Sequence, residues 1–295
     1  MIYDFSNCEN SGRTYGGSEK KIGILVNGEP YILKFRKHTN FGVRFNHVSE
    51  YLGSQIFELF GFNVHKTILG TYKNEEVVAC KDFTSGGYFF VPFNDVGESS
   101  LEVDKEKHQY SYEDIIKLLK ANKKITNVEE TISSFFEIYI VDALIGNFDR
   151  HGANWGFLKK DNKYYLAPVF DNGSSLFSQV SDIQIEDIID NKEEFDRRIY
   201  TFPTSQIQVD GKKSSYYEVI SSLKYEECNR ALKKIYPKID LAKINILIDS
   251  IEVISEIRKR FLKKIIKERY DKILKVSYEN LLRKEIKWDQ YNHRE

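Results

Sequence analysis

A long apolar segment that ends in a cluster of polar residues constrains this chain more than any other feature. Within residues 127–145 apolar side chains recur at spacings of three and four over a broad face, which predicts a buried helix. Gly146 ends the pattern, and an aspartate, an arginine, a histidine and an asparagine follow almost at once. The sequence therefore predicts a polar loop carried by a buried helix.

The spacing of these polar residues indicates phosphoryl transfer. Asn154 follows Asp149 by five positions, and Asp171 follows Asp149 by 22, which leaves room for one hairpin. Phosphoryl transfer needs a carboxylate that orients and deprotonates the attacking hydroxyl, and an amide and a second carboxylate that hold metal ions against the ATP phosphates. Protein kinases place these groups in the same order.

Residues 147–154, Asn-Phe-Asp-Arg-His-Gly-Ala-Asn, resemble the catalytic loop of the HipA-like bacterial serine/threonine kinases, which carry Asp-Arg-His-x-x-Asn. Residues 69–74 and 78–84 also resemble that family, especially its compact single-domain members. The resemblance implies Mg²⁺-dependent transfer of the ATP γ-phosphoryl group to a serine or threonine hydroxyl of a protein. The family pattern has Asp-Asn-Gly at 171–173, where eukaryotic kinases have Asp-Phe-Gly.

The resemblance also implies roles for individual residues. Asp149 would be the general base or the group that orients the hydroxyl, and Asn154 and Asp171 would bind Mg²⁺. His151 would either orient the loop or touch the nucleotide. Arg150 would either fix the loop carboxylate or contact phosphate.

A glycine-rich segment, residues 12–20, precedes two predicted strands, 21–26 and 30–35, joined by Asn27-Gly28. Asn-Gly between alternating apolar runs is a strong hairpin signal. A glycine-rich loop lets backbone N–H groups approach phosphates, although an ordinary surface loop has the same composition. The residues of this loop that we expect to contact the nucleotide are Gly16, Gly17 and Ser18.

Lys34 shares a face of the second strand with Ile32. It is either a solvated edge residue or the cation that holds the α- and β-phosphates. Residues 46–60 have a helical apolar stripe that ends before Gly61. Glu50 lies off this stripe and is either a solvated acid in the first turn or the partner that positions Lys34.

A second predicted hairpin comprises residues 64–71 and 76–83. Cys80 and Asp82 bound the predicted hinge, where adenine would meet backbone groups. Further along, Ser111 and Asp114 have the spacing of a capping box.

The remaining chain is less regular and then strongly helical. Residues 174–206 show few periodic signals, so no element is predicted there, and kinases carry their activation and substrate segments at this place. Residues 241–286 are predicted to be almost wholly helical. The basic stretch 258–275 is expected to be the solvated side of a lobe-packing helix, with a nucleic-acid or lipid surface as the alternative. We expect an α/β (α+β), two-lobed kinase-like fold, with a β-rich lobe over 1–83 and a mainly helical lobe over 84–295.

Composition excludes several classes of protein. The 44 basic and 44 acidic residues balance, so charge gives no reason to expect nucleic acid or a membrane surface as a partner. Three widely spaced cysteines fit neither a zinc motif nor a disulfide framework. No signal peptide or membrane span is visible, so we expect a cytoplasmic protein or an effector secreted by another route. Relatives act as toxins or effectors, which implies an antitoxin or a host-cell target as partner.

Other functions remain open at this point. Phosphoinositide-type lipid kinases share the loop pattern and would phosphorylate lipid vesicles. A nucleotide-binding regulatory partner would bind ATP without turnover, and a purely structural helical protein would leave the polar cluster unexplained. HipA-like kinases phosphorylate a serine in their own glycine-rich loop, so the resemblance also implies autophosphorylation, with Thr14 and Ser18 as the nearest hydroxyls.

Overall fold

The structure, a computed structural model, describes residues 2–16, 20–40, 42–96 and 110–292. The chain divides into two compact units. Unit 1 comprises residues 1–109, 120–126 and 149–181. Unit 2 comprises residues 110–119, 127–148 and 182–295. The predicted division into lobes near residue 83 stays a prediction.

Unit 1 is rich in β-structure. Its strands and helices are β1 (Tyr3–Asp4), β2 (Lys21–Val26), β3 (Glu29–Phe35), β4 (His38–Thr39), β5 (Gly42–Val43), α1 (Asn46–Leu59), β6 (Thr67–Tyr72), β7 (Glu75–Lys81), β8 (Phe89–Pro92), α2 (Phe93–Val96), β9 (Gly156–Lys160) and β10 (Lys163–Leu166). One sheet has the order β1-β6-β7-β3-β2, and a second has the order β10-β9-β8. β4 pairs with β5.

Two-residue turns set the hairpin registers of unit 1. Asn27 and Gly28 have φ of 51° and 79°, and this turn places Val26 opposite Glu29. Positive φ at both central residues matches the right-handed twist of the strands. Lys73 and Asn74 make the corresponding turn between β6 and β7. Both predicted hairpins are confirmed, and no strand end is shifted by more than three residues.

Helix α1 buries the predicted stripe. Val48, Leu52, Ile56 and Phe60 are all buried. Gly61 follows with φ of 85°, the left-handed conformation that commonly ends helices. The predicted helix and its stop are confirmed.

Unit 2 is mainly helical. Its elements are α3 (Tyr112–Ala121), α4 (Val128–Ile145), α5 (Asp182–Asp190), α6 (Lys192–Tyr200), β11 (Thr204–Val209), β12 (Lys212–Ser215), α7 (Tyr216–Ser222), α8 (Glu226–Ile235), α9 (Leu241–Asp249), α10 (Glu256–Arg269) and α11 (Val276–Asn292). A 3-10 helix covers Tyr236–Lys238, and π-helical Tyr270–Lys275 joins α10 to α11.

The predicted helix ends of unit 2 are confirmed. The Asn127 side chain accepts a hydrogen bond from Glu130 N and caps α4, and Gly146 ends the helix with φ of 65°. Ser111 and Asp114 exchange the two hydrogen bonds of a capping box before α3. The N-terminal part of the chain is thus rich in sheet and the C-terminal part in helix, as the predicted mixed α/β class requires.

The C-terminal half differs in detail from the sequence pattern at three places. Residues 174–206 contain α5 and α6, nine residues each, whose few buried apolar positions give a weak periodic signal. The prediction that 241–286 is almost wholly helical is confirmed, with one break at 250–255, where Ile251 and Ile254 of the predicted stripe are buried outside any helix. In the basic stretch, Arg258 and Arg269 are buried at 1% exposure each, so it is not uniformly solvated.

Within the part of the chain that the structure describes, no helix combines the length and the hydropathy needed to cross a bilayer.

Candidate active site

An ion-paired cluster joins β3, α1 and residue 171, all in unit 1. Lys34 Nζ lies 3.0 Å from Glu50 Oε2 and 2.8 Å from Asp171 Oδ1. Burial by itself would lower the pKa of the Lys34 ammonium, but the Asp171 and Glu50 carboxylates outweigh it and hold that pKa well above its usual value. The structure therefore places a fixed positive charge between two carboxylates.

Glu50 is a buried carboxylate with partners on both oxygens. Oε1 lies 3.0 Å from His65 Nε2 and accepts from Asn172 N at 3.1 Å, and Oε2 accepts from Gly173 N at 3.1 Å. Burial alone would raise its pKa, but Lys34 and His65 hold the pKa of Glu50 well below its usual range. Glu50 thus positions both Lys34 and the backbone that follows Asp171.

Asn172 connects that backbone to the loop that carries Asp149 and to α1. Its Oδ1 accepts from Arg150 Nη2 at 2.7 Å, and its Nδ2 donates to Ser54 Oγ at 3.1 Å. Arg150 Nη1 also donates to the carbonyl oxygens of Phe170 and Asn154. Arg150 therefore holds the loop through carbonyl and amide oxygens. Whether it also fixes the loop carboxylate or contacts phosphate stays a prediction.

Asp171 has a left-handed backbone, with φ of 57°. Aspartate tolerates this region better than most residues. Its side chain is 39% exposed although its partner Lys34 is only 13% exposed. One end of the ion-paired cluster is thus accessible while the other is held in the interior.

The loop that follows α4, residues 147–154, contains the other predicted polar groups. Asn154 Nδ2 donates to the Asp149 carbonyl oxygen at 2.8 Å, which leaves Oδ1 as the atom that can bind a metal. His151 Nε2 lies 3.8 Å from Asp149 Oδ1, and His151 Nδ1 accepts from Ala153 N. Ser174 Oγ donates to Asp149 Oδ2 at 3.4 Å.

The Asp149 carboxyl has a raised pKa. Burial is the main cause, and the nearby negative charge of Asp171 adds to it, whereas His151 opposes it. Two carboxylates and an amide oxygen are oxygen donors of the kind that suits Mg²⁺.

The glycine-rich segment contacts the end of β7. Arg13 Nη1 and Tyr15 Oη donate to Asp82 Oδ2, at 2.6 and 2.9 Å. Thr84 N and Oγ1 donate to the other oxygen of Asp82. Gly16 is exposed, and its carbonyl oxygen accepts from Lys21 Nζ. The other two residues expected to contact the nucleotide, Gly17 and Ser18, lie outside the described residues.

Two backbone N–H groups of the predicted hinge have hydrogen-bond partners within the protein. Lys81 N donates to Lys66 O at 2.8 Å, and Asp82 N donates to Pro30 O at 2.9 Å, so both N–H groups are used within the sheet. The Cys80 thiol is buried near Glu50 and His65. That Cys80 and Asp82 bind the nucleotide stays a prediction.

The chain matches a known protein family along most of its length. Residues 14–235, more than half of the chain, match the HipA-like C-terminal domain. The chain is 37% identical over 284 residues to the serine/threonine-protein kinase CtkA of Helicobacter pylori. The aligned region covers 93% of this chain and 87% of CtkA. The chain belongs to the HipA-like family.

Solved structures agree with this membership. The HipA-like chain superposes on a proinflammatory kinase CtkA of Helicobacter pylori with a TM-score of 0.88, at 36% identity, over 96% of this chain and 99% of that one. HipA of Shewanella oneidensis MR-1, solved with HipB and operator DNA, gives a TM-score of 0.53 at 14% identity, over 92% of this chain and 67% of HipA. The second likeness shows the fold alone. The predicted family and the predicted kinase-like fold class are confirmed.

Sequence reasoning missed three side chains of the site. Ser54, His65 and Asn172 are buried and hydrogen-bond to one another or to Glu50. Asn172 has a sequence signal, since it occupies the middle of the Asp-Asn-Gly motif. Ser54 and His65 have none, because only the folded chain brings Ser54 to Asn172, 118 positions away, and brings His65 from the segment before β6 to Glu50 on α1.

Proposed function

We propose that this HipA-like protein is an ATP- and Mg²⁺-dependent serine/threonine protein kinase of the CtkA type. The observation that most supports this function is the ion-paired cluster of Lys34, Glu50 and Asp171. This cluster lies in the same compact unit as Asp149 and Asn154. The similarity to CtkA along most of both chains supports a protein substrate.

The oxygen donors of the site fit Mg²⁺. Asn154 offers Oδ1, and Asp171 offers a partly exposed carboxylate. The negative charge of Asp171 contributes to the raised pKa of Asp149. A bound dication would offset the repulsion between these two carboxylates. Bound Mg²⁺–ATP supplies the γ-phosphoryl group and the positive charge that balances the phosphates.

The residues of the chain then have distinct tasks. Lys34 holds phosphate oxygens, and Glu50 keeps it in place. Asn154 and Asp171 hold the metal. Asp149 accepts the proton of the substrate hydroxyl at its carboxylate and orients that hydroxyl. Arg150 keeps the loop in register with the Asp171 segment through Asn172.

Transfer of labelled phosphate from γ-labelled ATP tests this function. The purified protein should label serine or threonine of a mixed protein substrate and should require Mg²⁺. Labelling of phosphoinositide vesicles but not of protein would favour a lipid kinase, and ATP binding without any transfer would favour a regulatory partner. The identity of the substrate, whether a host-cell target or another protein, and an antitoxin partner stay predictions.

Autophosphorylation of the glycine-rich segment is the finer part of the proposal. Thr14 is exposed and lies between Arg13 and Tyr15, both of which contact Asp82. Ser18 lies outside the described residues. Peptide mass spectra after incubation with ATP should place phosphate between residues 11 and 18, and phosphate found only elsewhere would rule this out.

A further inference from the structure

A second group of metal-ligating side chains lies beside the Lys34–Glu50 pair. Glu50, His65 and Cys80 each present one ligand atom, and these atoms all lie within 4.8 Å of one another. All three residues are buried, at 4% exposure or less. They come from α1, from the segment before β6 and from β7, so the tertiary fold of unit 1 brings them together.

The donor types select the ion. A carboxylate oxygen, an imidazole nitrogen and a thiol sulfur are the ligands that zinc and similar dications prefer. Mg²⁺ prefers an octahedral set of oxygens and does not match a site containing sulfur. This group therefore differs in selectivity from the oxygen donors of Asn154 and Asp171.

A fourth polar atom lies on the same face of the sheet. Thr67 is the direct partner of Cys80 in the β6–β7 ladder, and side chains of paired residues point to the same face. Thr67 Oγ1 is buried, and no described residue hydrogen-bonds to it. A buried hydroxyl without a partner is costly, and a bound ion or its ligand water would satisfy it.

The structure assigns to Glu50, His65 and Cys80 a regulatory site for a zinc-class dication, whose occupation inhibits the enzyme. On binding, the metal–sulfur bond replaces the S–H bond of Cys80, and the proton leaves to solvent. The His65 ring proton that now faces Glu50 moves to the other ring nitrogen by exchange with solvent, the freed lone pair binds the metal, and Glu50 turns an oxygen from His65 to the metal. No oxidant or reductant is needed.

Inhibition follows from the charge of Glu50. This carboxylate now holds Lys34 at 3.0 Å. A dication on the same carboxylate neutralises it and repels the Lys34 ammonium, so the phosphate-binding cation loses its position. Because all three ligands are buried, the ion must enter while unit 1 opens locally, and inhibition should develop slowly after mixing. This inhibitory half of the inference rests on the proposed kinase function, whereas binding does not.

Cobalt substitution tests the binding directly and without ATP. Co²⁺ bound to a thiolate gives a near-ultraviolet charge-transfer absorption that oxygen and nitrogen ligands do not give. The chain has three cysteines, so a Cys8→Ser/Cys228→Ser double variant leaves Cys80 as the sole thiol. This variant should show the absorption, and Zn²⁺ should remove it by competition. Its absence from a folded double variant would overturn the site.

Zinc inhibition of phosphoryl transfer tests the consequence. Each variant is compared with its own metal-free rate at constant excess Mg²⁺. The wild type and the double variant should be inhibited slowly and recover with a chelator, whereas Cys80→Ala and His65→Gln should need at least about 10-fold more Zn²⁺. Equal sensitivity of folded Cys80→Ala and wild type would overturn the inference. A wild type with no transfer activity would contradict the proposed function, while the cobalt absorption would still decide binding.

Discussion

Arg150 Nη2 donates a 2.7 Å hydrogen bond to Asn172 Oδ1, and both side chains are buried. This contact joins the loop that carries Asp149 to the segment that carries Asp171. Asn172 in turn donates to Ser54 on α1, the helix that carries Glu50. One buried polar network thus connects the segments that position the proposed base, a metal ligand and the partner of Lys34.

Arg150→Lys tests this network. The lysine keeps the charge but has no planar fork, so it cannot reach Asn172 and the Phe170 carbonyl together. Each buried group left without a partner costs about 1–3 kcal/mol, so urea unfolding should show a clear loss of stability. Phosphoryl transfer should fall as well.

Arg260→Lys, on the exposed side of α10, is the matched control and should leave both measurements unchanged. If Arg150→Lys behaves like this control, Arg150 does not connect the two segments.

Gly53→Ala tests the close approach of α1 to Asn172. A Cβ at position 53 would lie 2.6 Å from Asn172 Cβ, closer than carbon atoms can approach. In an unobstructed helix this substitution would stabilise by about 1 kcal/mol. We expect the opposite sign, a destabilisation of about 1–3 kcal/mol from overpacking, measured by thermal and urea unfolding. An increase in stability would show that α1 and Asn172 separate without cost.

Sequence patterns predicted the parts of this molecule that depend on neighbours along the chain. The Asn27-Gly28 turn, the apolar stripe of α1 and the Gly146 helix end all follow from local backbone preferences. A comparable local signal, Asp210-Gly211 between β11 and β12, was present and was missed.

The polar contacts of the site could not be predicted in the same way. Ser54 and Asn172 are 118 positions apart, and no periodic pattern relates them. The burial of Glu50 also depends on tertiary contacts, because its position on α1 lies off the apolar stripe and reads equally well as exposed. The family resemblance implies the proposed roles of these residues, and only the structure gives the distances between them.

The pH dependence of activity should reflect the raised pKa of Asp149. The base must be deprotonated, so kcat/KM should fall as pH decreases through that pKa, at a higher pH than the ordinary 3.8 of an aspartate. His151 opposes the rise, so His151→Gln should move this acid limb to still higher pH. His38→Gln, at an exposed histidine, should not move it. A shift to lower pH in His151→Gln would contradict the assignment.

Asp171→Asn tests the proposed metal ligand. The amide fits the left-handed backbone, so the fold should survive, but it cannot balance a dication among phosphates, and Mg²⁺-dependent transfer should be abolished. Asp161→Asn is a matched control, since Asp161 is exposed, lies in a turn and has φ of 48°. Near wild-type transfer by folded Asp171→Asn would remove this residue from the site.

Asp149→Ala tests the central claim most directly, with ATP affinity, melting temperature and γ-phosphoryl transfer measured on one preparation. A positioned base contributes about 10²- to 10⁴-fold, so transfer should fall by that factor, roughly 3–5.5 kcal/mol of transition-state stabilisation. ATP binding and the melting temperature should stay close to wild type, because Lys34, Asn154 and Asp171 remain. A variant with a lower melting temperature that still transfers phosphate at the wild-type rate would contradict the account.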